Sequence, residues 1–164
     1  MYIFGHTGLT AATAHAVDHD VDLRWAVILA LAPDLIDKPL SLLLPALVHH
    51  NTRSFGHTIL FSLFILAALL LWKRRAKPAF LLWGCYTGHF LFDSMWRNEN
   101  PVILLWPLLG DFPRPVRGSI FSEIALWSIL AEFVGLALLV RLARRHGLFE
   151  RTRLAAYLKS GRLA

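Results

Sequence analysis

Long apolar runs with ionisable residues set inside them constrain this chain more than any other feature. Ile120 to Val140 and Thr58 to Trp72 are nearly continuous, and Trp25 to Val48 is interrupted only by Pro33-Asp34, Asp37-Lys38-Pro39 and Pro45. A helix that crosses a membrane needs about 20 apolar residues, so the Ile120 run qualifies and the others qualify with their flanks or as broken helices. Charged residues make up 17% of the chain and hydrophobic ones 56%, against about 25% and about 45–50% in soluble domains. The expected class is an all-α integral membrane helical bundle, with about four spanning or broken helices and a short helix over Gly5 to Val17 before them.

Charge placement gives the bundle a direction. Lys73, Arg74, Arg75 and Lys77 share one short loop, and Arg141, Arg144, Arg145, Arg151, Arg153, Lys159 and Arg162 follow the last run. By the positive-inside rule both regions are cytoplasmic, and the net charge of +6 reads as a bilayer preference and not as a nucleic-acid surface. Residues 1–148 then form one membrane-embedded domain, and 149–164 a basic tail lying as an amphipathic helix on the inner surface. Trp72, Trp96 and Trp106 fall where interfacial aromatic belts are expected. The single cysteine, Cys85, excludes an internal disulfide and a Cys-rich zinc module, and among apolar neighbours it reads as packing.

His89 and Asp93 stand four residues apart in the run Phe80 to Trp96, on one face of a helix. Ionisable residues at membrane depth are costly and mark functional sites by default. The prolines around Asp34 and Asp37 predict a broken helix over 32–39, tolerated where it lines a wet cavity. His57 follows the polar stretch 49–57, and His6 opens the short first helix. All six, His6, Asp34, Asp37, His57, His89 and Asp93, fall between the bilayer centre and the outer face. Three imidazoles and three carboxylates suit one or two divalent ions, zinc first and manganese or iron with more oxygen ligands. Such a centre activates water for hydrolysis, with Asp34, Asp37 and Asp93 as the catalytic carboxylates. The plainer alternative is that the six only hydrogen-bond to one another and lock the helices.

The outer arginines, Arg53, Arg97, Arg114 and Arg117, suit a phosphate or simply lipid headgroups. Arg53, Arg97 and His50 are the candidate substrate contacts. His15 and His19 read as capping or surface residues at the cytoplasmic end. Asp18-His19-Asp20-Val21-Asp22 imitates a calcium loop but lacks its glycine, and reads as a turn with Asp22 near the start of the next helix. Glu123 is a weak candidate for acid-base work or for metal, and Glu132, deep in the last run, either stays protonated or pairs with a neighbour and is assigned no role.

Gly5-His6, Pro33-Asp34-Leu35-Ile36-Asp37, Arg53 to His57-Thr58, Gly88-His89 with Asp93, and Leu104-Leu105-Trp106-Pro107 resemble, in that order, the YdjM-like family of LexA-binding, inner-membrane-associated metal-dependent hydrolases. The chain has Arg53-Ser54-Phe55-Gly56-His57-Thr58 where that family usually has Arg-Gly-any-Thr-His-Ser, and the preceding histidine is displaced to His50. The family is distantly similar to zinc-dependent phospholipases C and single-strand nucleases, which share a His-any-any-any-Asp pair. The resemblance implies phosphoester hydrolysis in the inner membrane, on a phospholipid or lipid-linked phosphate. The competing expectation is a non-catalytic membrane protein, either a regulator docking a cytoplasmic partner on its basic tail or a metal-ion permease. A permease needs polar residues continuing to the inner face, and Ile59 to Trp72 offers only Ser62.

Overall fold

The computed structural model describes residues 3–98, 100–114 and 126–163, and these form helices and turns without a strand. In chain order the helices are α1 (Ile3–Val17), α2 (Leu23–Leu43), α3 (Pro45–Val48), α4 (Ile59–Lys73), α5 (Ala76–Phe92), α6 (Asn100–Leu104), α7 (Leu126–Arg145) and α8 (Arg151–Ser160), with a 3-10 turn at Phe55–His57. Arg117 and Glu123 lie outside the described residues.

Side-chain contacts fix the helix directions. Trp25 near the start of α2 packs on Trp72 at the end of α4, and Lys77 at the start of α5 pairs with Asp18 between α1 and α2 at 3.1 Å. α1 and α7 run parallel, with Glu132 beside Phe4 and Gly5, Gly135 beside Gly8, and the His146 ring against His15. Both basic segments therefore gather at one end of the bundle, and the loops 44–58 and 93–114 at the other. His15 is buried in that α1 contact, not set on the surface as its sequence position suggests.

α2 is one continuous helix through Pro33 and Pro39, where a break is expected from sequence. A proline removes only the bond to the carbonyl four residues earlier, and the ladder resumes on either side. Pro33 is fully buried against the 3-10 turn, where Gly56 approaches so closely that a Cβ would lie 2.9 Å from the Pro33 carbonyl oxygen. Asp22 caps α2 by accepting from the Arg24 amide, and the hydrogen bond from the Arg24 side chain holds the Asp22 carboxyl below its ordinary range. Arg24 also donates to the carbonyl of Leu158 at 2.7 Å, so α8 is tied to the α1–α2 turn.

The distribution of polarity is inverted relative to a water-soluble domain. His6, Asp37, His57 and His89 are at most 1% exposed, whereas Trp127, Phe133, Phe64 and Leu71 are 64–80% exposed. Among the described residues, α7 is long and apolar enough to cross a membrane. α4 is apolar but about 22 Å long, and α5 about 25 Å at 1.5 Å per residue, against a hydrocarbon core of about 30 Å. Among the described residues, the expectation of about four spans thus holds by composition and length for α7 alone. Trp106 does not join a lipid-facing belt but stacks on Phe112, with Phe55 against both rings. That cluster braces the turn carrying His57.

Gly8 and Gly135 bring the backbones of α1 and α7 into direct contact, since a Cβ on either would lie 2.0 Å from a carbonyl oxygen of the facing helix. Gly8→Val should cost at least about 1–3 kcal/mol by overpacking and lower the thermal midpoint in detergent. Gly84→Ala, where a Cβ meets nothing within 4 Å, should leave the midpoint unchanged or raise it slightly.

Candidate metal centre

Each helix delivers its ligand from the end opposite the basic loops. His57 sits at the close of the 3-10 turn, just before Thr58 caps α4 by accepting from the Phe61 amide. Its Nδ1 lies 2.7 Å from Asp37 Oδ2, and the carboxylate can only accept, so Nδ1 carries the proton. His89, on the last turn of α5, places Nδ1 2.7 Å from the Ala30 carbonyl oxygen, another obligate acceptor. Ala30 is close to the point where Pro33 leaves the carbonyl of Leu29 without its helical donor.

With both Nδ1 atoms protonated and engaged, the nitrogens turned inward are the two Nε2 atoms. They face each other at 3.2 Å. Two lone pairs at that distance repel unless a proton or a cation lies between them, and the edge of a tetrahedral zinc site is roughly 3.3–3.4 Å for Zn–N of about 2.0–2.1 Å. Asp34 Oδ1 lies 4.0 Å from His57 Nε2 and 3.9 Å from His89 Nε2. Asp93 Oδ2 lies 4.0 Å and 3.8 Å from the same two atoms. Each carboxylate oxygen thus lies within 4.0 Å of both imidazole nitrogens, and nitrogen with oxygen donors suits zinc, manganese or iron.

His6 adds a second, overlapping group. Its ring stacks on His89 with centroids 4.0 Å apart, and its Nε2 lies 3.2 Å from Asp93 Oδ1 without the alignment of a hydrogen bond. His6, His89 and Asp93 form one candidate metal-holding set, and Asp34, His57 and His89 the other.

The structure brings all six sequence-derived residues together, but Asp37 takes a different place from the rest. Both its oxygens are engaged, Oδ2 by the Ser54 amide at 2.6 Å and by His57, and Oδ1 by the Gly56 amide at 2.8 Å. It stands behind His57 and orients it, as carboxylates do behind metal-bound histidines. Arg53 directs Nε and Nη2 at Asp93 Oδ2, at 3.2 and 3.0 Å, so it touches the centre itself. His50 and Arg97 are exposed on loops and pair with none of the cluster carboxylates among the described residues, and Arg114 is also exposed. Cys85 is buried in the core one turn before His89.

Three supporting contacts had no clear sequence signal. Tyr86 donates its hydroxyl to the Gly56 carbonyl, the Ala30 carbonyl holds His89, and Glu132 binds the amides of Phe4 and Gly5. Lys38 Nζ on Asp34 Oδ2 at 2.7 Å was legible as an i, i+4 pair.

The family described as YdjM inner membrane protein matches residues 1–162 of the chain. No curated protein and no solved structure matches it.

Asp37→Asn should leave helix content unchanged while weakening zinc retention about tenfold to a hundredfold, since it disturbs the partner of a ligand without removing a ligand. Equilibrium dialysis against a coloured chelator reads the change.

Proposed function

The chain belongs to the YdjM inner membrane protein family, and we propose that it acts there as a metal-dependent hydrolase of a phosphoester, on a phospholipid or lipid-linked phosphate. The observation that carries this reading is the pair of Nε2 atoms of His57 and His89, turned inward by the partners of their Nδ1 atoms, 3.2 Å apart and within 4.0 Å of oxygens of both Asp34 and Asp93. A divalent ion bound there supplies water acidified to near neutrality and a polarised phosphoryl oxygen.

The side chains divide the remaining work. His57 and His89 hold the ion, with Asp37 and the Ala30 carbonyl keeping each ring in the required tautomer. Asp34 is the general base: it borders the centre, its side chain is 18% exposed, and Lys38 holds its far oxygen, leaving Oδ1 turned inward. Asp93 completes the donor set. Arg53 rests Nε and Nη2 on Asp93 and leaves Nη1 for an anionic oxygen, so the guanidinium orients the phosphoryl group beside the ion.

A lipid is the favoured substrate because apolar side chains face outward around the bundle while the polar centre lies within. The centre sits at the end opposite Lys73, Arg74, Arg75 and Lys77. With those residues cytoplasmic, the site opens towards the outer leaflet and takes headgroups from that side.

Purified protein should release phosphate or a phosphorylated headgroup from a panel of phosphate esters and phospholipids, lose that activity to a chelator, and regain it with zinc or manganese. Asp34→Asn should lower turnover by about a hundredfold or more while keeping part of the metal. Full activity in Asp34→Asn, or in protein stripped of metal, would overturn the reading.

A further inference from the structure

We infer that Glu132 of α7 is a positioning residue that clamps the start of α1 and so holds the His6 ring at the metal centre. The inference rests on the metal reading above. α7 is long and apolar enough to cross a membrane and has few buried residues, an unfavourable setting for a carboxylate. Both oxygens of Glu132 are nevertheless engaged. Oε2 accepts from the Phe4 amide at 2.9 Å and Oε1 from the Gly5 amide at 2.8 Å. These amides belong to the first turn of α1, where backbone N–H groups have no partner within the helix and the helix dipole favours negative charge.

His6 is the next residue in the chain. The rings of His57 and His89 are each oriented through Nδ1 by a hydrogen-bonding partner, whereas Nδ1 of His6 is buried with no hydrogen-bond partner among the described residues. Besides its stack on His89 and the approach of its Nε2 to Asp93, the direction of the His6 ring is set by where its backbone is held. Glu132 fixes that backbone end-on, and the interlocked Gly8 and Gly135, one turn further, prevent α1 from sliding or rolling against α7. Released from Glu132, the first turn of α1 would fray as unsupported helix ends do, and the His6 ring would leave its 4.0 Å stack on His89.

The test uses the full chain in lipid nanodiscs, with zinc and manganese affinity read by chelator competition and amide exchange read residue by residue. Glu132→Leu should weaken affinity about tenfold, in the range found for residues that support a ligand, and should speed exchange at Phe4 and Gly5. Glu132→Gln, which keeps one acceptor oxygen, should fall between Glu132→Leu and the parent. Phe133→Leu, a change on the exposed face of the same helix, should match the parent and controls for general damage to α7. In a His6→Ala background, Glu132→Leu should cause no further loss of affinity. An equal loss in both backgrounds, or unchanged affinity and exchange in Glu132→Leu, would overturn the inference. A parent chain that binds neither ion would overturn the metal reading and this inference with it, a result distinct from metal binding that is indifferent to Glu132.

Discussion

The hydrogen bond between Asp37 and His57, matched by that between the Ala30 carbonyl and His89, is the constraint on which the centre depends. Each partner can only accept, so each imidazole carries a proton on Nδ1 and turns Nε2 inward. Asp37 can do this because the turn after α3 wraps over it, giving it the amides of Ser54 and Gly56 as well as the ring of His57. A fully buried carboxylate with three donors is a satisfied group. The same three contacts fasten the turn to α2 and fix the distance between His57 and Asp34.

Packing supports this arrangement from outside. The aromatic cluster of Phe55, Trp106 and Phe112 presses on the turn from the loop side, and Tyr86 of α5 reaches the Gly56 carbonyl from the other. α5 thus supplies both a ligand, His89, and a strut for the segment bearing its partner. The apolar exteriors of α4 and α7 contribute little to this core. They present Phe64, Leu71, Trp127 and Phe133 outward, as suits a chain of an inner membrane family.

Much of the centre was legible in the sequence because its spacings are helical. His89 and Asp93 are one turn apart, and Asp34 and Asp37 share a face, so each pair had to point together once the helices formed. The alternation of basic and polar loops also gave the helix directions, from which the convergence of distant residues followed. Other features depended on tertiary contacts that no local pattern encodes. The prolines of α2 signal a break, yet burial of Pro33 against Gly56 keeps the helix whole. Asp37 looks like a ligand by composition, and only the wrapping of 54–57 turns it into the support for one. Glu132 is an isolated charge in an apolar run, and its partners are amides over a hundred residues away, at the start of α1.

X-ray absorption at the zinc edge of the purified, zinc-loaded protein tests the central geometry most directly. At least two imidazole nitrogens at about 2.0 Å, with carboxylate oxygens completing the shell and one imidazole lost in His57→Ala, is the expected spectrum. A shell without imidazole scattering, or one unchanged in His57→Ala, would show that His57 and His89 do not share an ion.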